Sequence, residues 1–326
     1  MKKFRAGYAY YVAQRLGTAL LVLLILSVVV FFLVRLIPGD PLAGYYDTHG
    51  TPSIEEIARL REQLGLDKAW YTQYFEWLGG ILQGDFGASL TKPFSVGYQI
   101  GRRLPYSIEL ALLATIMALI IGIPAGVLAG QRANHLPDIA VRTGVMLAIS
   151  IPSFLTALAV VLINSRTLKW NLIGAVSSSK GIVDNGIAML VPALILALPF
   201  SGTVVRYLRS GMIEELAKPY RITLAAKGLS DAEIAYGHGL RNAIIPVLTV
   251  ISVRLATLVG GTVVIENIFS IPGMGKYLIE SISSADYPSI QGAILVIASV
   301  YLLMSLIVDL LYPFLDPRIK SGVGES

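Results

Sequence analysis

The chain has 326 residues, of which 55% are hydrophobic and 14% are charged, and its mean hydropathy is +0.68. Soluble globular domains carry roughly 25% charged residues, so this composition argues against an ordinary soluble domain and predicts a polytopic membrane protein. The sequence contains no cysteine, which excludes a disulfide framework, a thiolate nucleophile and a cysteine-ligated metal or iron–sulfur site.

Six stretches of the chain are long and apolar enough to cross a bilayer, which requires about 20 residues. They predict an all-α polytopic membrane protein with six transmembrane helices, at residues 14–37, 108–130, 143–163, 187–207, 244–266 and 290–312. We interpret the first as a retained anchor rather than a signal peptide. Its apolar stretch exceeds a signal h-region and continues into Arg35 and "IPGDP" without an A-x-A cleavage site.

These spans divide the chain into an N-terminal tail with the first span (1–37), a long intervening segment (38–105), and a core with the other five spans (106–326). The core includes a polar loop at 208–243 and a C-terminal tail. Lys and Arg are concentrated at the N-terminus, near Arg132, from Arg206 to Arg241 and in the tail. This asymmetry predicts that both termini and the 208–243 loop are cytoplasmic and that segment 38–105 is external.

The external segment is predicted to contain two helices. Ser53 and Glu56 form an S-x-x-E capping box before an amphipathic stretch that Gly65 ends. A second amphipathic helix is predicted from Lys68 to Leu82, with Trp and Tyr side chains suited to the membrane interface. A disordered loop is the alternative, although low-complexity signals are absent.

The polar loop contains the string "AKPYRITLAAKGLSDAEIAYGHGLRNAIIP", Ala217 to Pro246. Pro219 suits the first position of a short helix that Gly228 can close. Ser230 and Glu233 make a second capping box, which starts another helix toward Leu240. The pattern predicts two short helices joined by a tight turn, a shape suited to docking in a groove of another protein.

Two other interpretations of this loop were weighed. Basic residues beside spans also act simply as topology determinants that meet anionic lipid head groups. A DNA-binding helix-turn-helix has similar helix start and stop signals. A short loop tethered to the bilayer at both ends, however, has no hydrophobic core to support one. No nucleic-acid partner is expected.

The string "AAKGLSDAEIAYGHGLRNAIIP" resembles the cytoplasmic loop of importer-type ABC transporter permeases of the dipeptide, oligopeptide and nickel family. Further similar landmarks follow the same order along almost the whole chain: "RLIPGDPL", "LREQLGLD", "GDFGAS", "ENIFSIPGMG", "DYPSIQG" and "LDPRI". The resemblance implies a bacterial inner-membrane subunit paired with a second permease, two ATPases and an external substrate-binding protein.

In that family the loop helix docks on the ATPase and is called the coupling helix. Carried over by motif, the coupling positions are Tyr220, Arg221, Ala225, Ala226, Lys227, Gly228, His238, Arg241 and Asn242. The wider importer pattern E-A-A falls here on Ile222, Thr223 and Leu224, and Leu224 departs from the small residue usual there.

No chemistry is expected of this chain itself. It contains no P-loop G-x-x-x-x-G-K-[ST] and no G-x-S-x-G nucleophile motif, so we predict a transport subunit and not an enzyme. Its three histidines, His49, His135 and His238, lack metal-ligand spacing. No cofactor is expected in this chain, and ATP and Mg²⁺ are expected in the partner ATPases.

Several residues are candidates for contact with cargo or partners. Ser150 and Ser153 are candidate polar lining of a translocation path. Arg254 lies within the fifth span, where a charge costs about 2.5–3.5 kcal/mol. We expect it to face the translocation path and meet the carboxylate of a passing peptide or an acid of a partner subunit. A contact with a backbone carbonyl or with the partner permease is the alternative. By resemblance, an external loop that approaches the binding protein contains Glu266, Pro272, Gly273 and Gly275; by physics alone it is a tight turn.

The resemblance therefore implies a peptide-importing ABC permease working by alternating access. A nickel or other small-solute permease remains open, because the loop motif does not define the cargo. An ion-coupled secondary transporter would need carboxylates deep in the membrane, whereas Glu109, Glu266 and Asp309 lie near span ends. A structural scaffold is the remaining alternative, and the doubly capped loop argues against it.

Overall fold

The computed structural model describes residues 2–36, 42, 45–46, 50, 53–63, 65–177 and 179–315. Within these ranges the regular structure is helical, and the one β-type contact is an isolated bridge between Ala88 and Ser95. The predicted all-α class is confirmed.

The helices are numbered in chain order. They are α1 (Lys2–Arg35), α2 (Ile54–Gln63), α3 (Trp70–Leu82), α4 (Val96–Gln131), α5 (Leu136–Ser150), α6 (Ser153–Arg166), α7 (Ile182–Leu216), α8 (Tyr220–Ala226), α9 (Asp231–Glu233), α10 (Leu240–Gly261), α11 (Val263–Ile268), α12 (Met274–Ser283) and α13 (Tyr287–Leu315). Between α9 and α10, residues Ile234–Gly239 are wound as a π-helix.

Four of the described helices are long and apolar enough to cross a membrane. They are α1 over Tyr10–Arg35, α4, α7, and α13 over Tyr287–Ile307. The bent pair α5 and α6 supplies a fifth crossing if it counts as one span. The remaining predicted span, 244–266, lies mainly on α10, which ends at Gly261. The count of six crossings stays a prediction.

The predicted third span, 143–163, is wrong as a single continuous helix. α5 ends at Ser150, α6 begins at Ser153, and the two helices differ in direction by 93°. Pro152 explains the break, because a proline ring disfavours the α conformation in the preceding residue. Ile151 is accordingly extended, with φ −90° and ψ 119°.

The helices α4 and α7 form the central pair of the bundle. Three glycines of α4 meet three apolar side chains of α7 in the same chain order: Gly122 with Val204, Gly126 with Leu208, and Gly130 with Met212. A Cβ atom on these glycines would lie 2.9, 2.9 and 2.4 Å from the Cβ of its partner. Small residues therefore let the two helices approach closely, as is common between membrane helices.

The order of these contacts shows that α4 and α7 run parallel. The chain between them, which contains α5 and α6, therefore returns along the bundle. α10 runs antiparallel to α7, because Ala243 lies beside Gly211 whereas Arg254 reaches back to Thr203. These directions favour the six-pass topology.

We call the end of the bundle that holds residues 217–239 the loop end. The opposite end, which holds Ser107, Glu266 and Asp286, is called the clasp end.

The two helices predicted in segment 38–105 are confirmed as α2 and α3. The capping box of α2 is also confirmed: Ser53 N donates to Glu56 Oε2 at 2.8 Å, and Glu56 N donates to Ser53 Oγ at 3.3 Å. α3 lies against α1, since the Tyr74 and Phe31 rings are 5.2 Å apart and the Tyr74 and Ser27 hydroxyls share a 2.9 Å hydrogen bond.

The α4–α7 contact predicts that Gly130→Ala destabilises the protein. The new methyl group would overlap Met212, and overpacking of this kind costs about 1–3 kcal/mol. Thermal unfolding of the purified protein in detergent measures the effect. Gly144→Ala on α5 is the matched control, because a Cβ there meets nothing within 4 Å. Equal melting temperatures for the two variants would contradict the close contact.

Candidate functional site

At the loop end the first predicted helix is present as α8. Pro219 precedes it with φ −57°, so the helix begins one residue later than the pattern predicted. Gly228 ends it in the left-handed region with φ +88°. Gly228 N donates to Ala225 O at 2.9 Å and Leu229 N donates to Leu224 O at 3.3 Å. This is the Schellman closure that glycine favours, which confirms the predicted end of α8.

The second predicted capping box is also confirmed. Ser230 N donates to Glu233 Oε2 at 2.8 Å, and Glu233 N donates to Ser230 Oγ at 3.3 Å. The hydrogen bonds from Ser230 lower the pKa of Glu233. The helix that follows differs from the prediction, because only α9 is α-helical before the π-helical stretch leads into α10.

Most of the coupling positions form an exposed surface. α8 has no buried residue, and its Ile222 is 75% exposed. Tyr220 is half-buried, and the other carried-over positions are exposed: Arg221, Ala225, Ala226, Lys227, Gly228, His238, Arg241 and Asn242. Tyr220, Arg221, Ala225 and Ala226 lie on α8, and Arg241 and Asn242 lie on α10. The loop thus presents a short capped helix to its surroundings.

A buried carboxylate that the sequence pattern did not reveal attaches this loop to the bundle. Glu215, in the last turn of α7, is only 5% exposed. Its Oε1 accepts a hydrogen bond of 2.6 Å from Asn242 Nδ2, and its Oε2 accepts one from Lys218 Nζ. Asn242 was carried over from a motif, and the structure supplies a local reason for it: its amide joins the start of α10 to the end of α7.

A second buried ion pair lies nearby and was also missed. The Arg209 guanidinium of α7 donates to both carboxylate oxygens of Asp138, at 2.6 and 2.7 Å. The Asp138 side chain is fully buried and also accepts from Asn134 N at 2.8 Å. In the sequence, Arg209 was distinguishable only as one of the basic residues between Arg206 and Arg241. The pair joins the start of α5 to α7 at the loop end.

At the clasp end, Glu266 is fully buried and accepts four hydrogen bonds. Ser107 Oγ of α4 and Thr262 Oγ1 donate to its Oε1 at 2.7 and 2.8 Å. The backbone N–H groups of Gly275 and Lys276, in the first turn of α12, donate to its Oε2 at 2.7 and 3.2 Å. A carboxylate at a helix N-terminus also interacts favourably with the helix dipole.

This geometry explains the glycines of "IPGMG". A Cβ on Gly273 would lie 2.4 Å from Glu266 Oε2, and one on Gly275 would lie 2.4 Å from Val263 Cα. The Glu266 carboxylate is not offered to a partner, because it is fully buried and four donors enclose it. The approach of this loop to a binding protein stays a prediction. Pro272 is half-buried, whereas Ile271, Gly273 and Met274 beside it are buried, so Pro272 is the part of this turn that a partner can reach.

Two further carboxylates join the segment before α4 to the α12–α13 turn. Asp286 is 1% exposed and accepts hydrogen bonds from Ser89 Oγ, Leu90 N and Thr91 Oγ1. Glu280 pairs with Lys92 Nζ at 3.1 Å and Arg103 Nη2 at 3.2 Å. Burial raises the pKa of Glu280, but the hydrogen bond from Lys92 and the charge of Arg103 outweigh burial and lower it.

The candidate path residues are not brought into one site. Ser150 and Ser153 flank the 93° break, as the last residue of α5 and the first of α6. Arg254 is exposed on α10, and its Nη2 donates to Thr203 Oγ1 at 3.5 Å. Across the described ranges, no hydrogen bond joins Arg254 to either serine, and no group of three or more His, Asp or Glu residues is arranged to hold a metal.

The long apolar helices and their bundle define the class as an all-helical membrane protein. Residues 122–321 match the family model described as "Binding-protein-dependent transport system inner membrane component". Residues 9–111 match the model of the N-terminal part of such membrane components. The chain belongs to this family of inner-membrane transport components.

Relatives of known designation are similar along almost their whole length. A putative peptide permease protein of Brucella ovis is 37% identical over 314 residues, covering 95% of this chain and 98% of the relative. The oligopeptide transport system permease AppB of Bacillus subtilis is 35% identical, with 96% and 99% covered. The di/tripeptide transport system permease DppB of Pseudomonas aeruginosa is 35% identical, with 95% and 98% covered.

The Glu266 contacts predict a graded loss of stability on substitution. Glu266→Ala leaves the Gly275 and Lys276 N–H groups without an acceptor, which costs about 2–6 kcal/mol at about 1–3 kcal/mol per group. Glu266→Gln should cost less, because the Ser107 and Thr262 hydroxyls can turn to accept from the new amide. Thermal unfolding in detergent measures both, with Asn267→Ala as an exposed control. An Ala variant as stable as the control would contradict the assignment.

Proposed function

We propose that this chain is a transmembrane permease subunit of a bacterial ATP-driven ABC importer for dipeptides or oligopeptides. Family membership and the peptide permeases among its relatives support the transport class and the cargo. The observation that carries the mechanism is α8, a helix that is capped at its C-terminal end, has no fully buried residue, and is linked to α7 and α10 near Glu215. Such a helix can follow a moving partner without unwinding.

The partners follow from this assignment. α8 docks on one of two cytoplasmic ATPases, which bind ATP and Mg²⁺, and a second permease subunit completes the membrane core. Positive charge near the loop end and at both termini supports a cytoplasmic position for them. The clasp end then faces outward, toward a substrate-binding protein that delivers the peptide.

In this mechanism the subunit alternates between two arrangements that open the path to one side at a time. The break between α5 and α6 places Ser150 and Ser153 at a point where backbone groups leave regular helical hydrogen bonding. Arg254 is exposed on a helix that must cross apolar surroundings, where an unshielded charge is costly. We propose that water in the path and the carboxylate of a passing peptide stabilise its guanidinium.

The docking role of α8 predicts that Gly228→Val uncouples the subunit from its ATPases. A β-branched residue is strained at φ +88°, so the Schellman closure and the direction of α8 should change. We expect less ATPase to co-purify from the native host, together with lower peptide uptake. Quantifying both against the amount of inserted permease measures the effect.

The matched control is Gly174→Val. Gly174 has φ +68° and open space around its Cβ position, but its N–H donates to Phe269 O near the clasp end, far from the loop. The Gly174→Val variant should therefore be strained near the clasp end and still co-purify with the ATPases. If ATPases never accompany the wild type, the coupling assignment fails. If both variants lose them equally, general misfolding is the cause.

The path assignment predicts that Arg254→Gln reduces uptake of peptides with a free C-terminal carboxylate. Hydrogen bonds to charged groups contribute about 1.5–3 kcal/mol, so we expect a loss of roughly tenfold or more. Uptake of a C-terminally amidated peptide should change much less. Arg166→Gln, exposed at the end of α6, is the control. Unchanged uptake with normal assembly would remove Arg254 from the path.

A further inference from the structure

Glu109 on α4 differs from the other carboxylates near the clasp end. Glu266, Asp286 and Glu280 each have two or more donors, so protein partners replace their hydration. Glu109 is half-buried, and within the described ranges its carboxylate has no hydrogen-bond or ion-pair partner. Partial burial without a partner is unfavourable for a charged group. The Glu109 carboxylate is therefore available to a cation from outside the chain.

Glu109 lies at the start of an exposed stripe of α4. Its Oε1 is near Gly186 of α7, where a Cβ atom would be 3.5 Å away, so α7 brings no side chain to the carboxylate at this point. Leu112, Ile116 and Ile120 follow Glu109 at helical spacing along the same side of α4, and all three are exposed. The stripe thus runs from the carboxylate toward the loop end.

Arg254 is the matching opposite charge, deeper in the bundle. Its Nη2 donates one long hydrogen bond, of 3.5 Å, to Thr203 Oγ1, and no carboxylate of the described residues forms an ion pair with it. Thr203 precedes Val204, which packs on Gly122 of α4. The Arg254 guanidinium therefore lies at the level of Gly122. From Gly122 to Glu109, α4 rises about 1.5 Å per residue and so spans about 20 Å along the bundle.

A peptide with free ends carries the two groups that these charges require. We infer that Glu109 binds the α-ammonium group of the transported peptide and that Arg254 binds its C-terminal carboxylate. An extended peptide spans about 3.3–3.6 Å per residue, so about six residues bridge the two side chains, and a dipeptide contacts them in succession. With the clasp end outward, the peptide passes along the path C-terminus first. This inference rests on the proposed function and deepens it.

One mobile ligand accounts for both charges, whereas fixed partners would have to supply two separate groups. A cation of a partner subunit beside Glu109 would neutralise the carboxylate and leave Arg254 unexplained. Lipid suits neither charge, since ionic groups inside a membrane pair with one another or face water. A peptide supplies a cation and an anion and leaves with both, so the two side chains are without protein partners between transport cycles.

The first test uses Glu109→Gln, which keeps the shape of the side chain and removes its charge. The variant is assembled with its partner permease, ATPases and binding protein in liposomes, and uptake of a six-residue peptide is compared with uptake of its N-acetylated form. We expect the ratio of free to acetylated uptake to fall about tenfold, the value of one hydrogen bond to a charged group. Asp184→Asn, which changes an exposed carboxylate in the first turn of α7, should leave the ratio unchanged.

Because every sample contains the same binding protein, a change in this ratio comes from the permease. An unchanged ratio in Glu109→Gln overturns the inference, and equal loss of both peptides does so as well, since Glu109 then pairs with a fixed group. Either result leaves the proposed function intact if the wild type imports peptide. A wild-type complex that imports neither peptide overturns the proposed function itself.

A second test measures the direction of the bound peptide. A photoreactive side chain is placed at the first or the last position of the six-residue peptide, both ends stay free, and the complex is arrested with vanadate before illumination. The first position should label α4 near Glu109, and the last should label α10 near Arg254. The reverse pattern overturns the direction, and labelling at neither helix overturns the placement.

Discussion

The close parallel contact between α4 and α7 is the constraint on which the rest of the bundle depends. Three glycines four residues apart allow the two backbones to approach, and side chains at the same spacing on α7 fill the space. Because the helices run parallel, the chain between them must return along the bundle, and the broken pair α5 and α6 does so. The polar contacts of Glu266, Asp138 and Glu215 then each involve α4 or α7 directly, whereas Asp286 joins the segment before α4 to the α12–α13 turn.

Both ends of the bundle are held together by buried carboxylates, which lie on different elements at each end. Glu266 and Asp286 at the clasp end, and Asp138 and Glu215 at the loop end, are buried carboxylates with several donors each. A buried charge is tolerated only when such partners replace its hydration. Since each carboxylate joins elements distant in the chain, the ends are held by directional contacts, whereas apolar packing fills the middle. Non-directional packing permits small sliding movements that saturated carboxylates resist.

Local features of this fold were predictable from the sequence, and long-range pairings were not. The caps at Ser53, Gly228 and Ser230 follow rules that act within a few residues, so they were predicted correctly. Glu266 and Ser107 are 159 residues apart in the chain, and no periodicity relates them. The break at Pro152 had a visible signal, but a proline in a membrane helix is compatible with a kink or a full break. Only packing decides between them.

A mechanical consequence follows from the positions of the loop-end contacts. Glu215 lies about 1.7 turns beyond Arg209 on α7, and Arg209 holds Asp138 at the start of α5. Displacement of α8 therefore acts on α7, and through the ion pair on α5. α5 ends at Ser150, where the extended Ile151 interrupts the helix and lets α5 change direction independently of α6. The break at Pro152 is thus the last element in a series of contacts that runs from α8 through α7 to α5. A continuous third span would carry such a displacement along its whole length, whereas the 93° break separates α5, which holds Asp138, from α6.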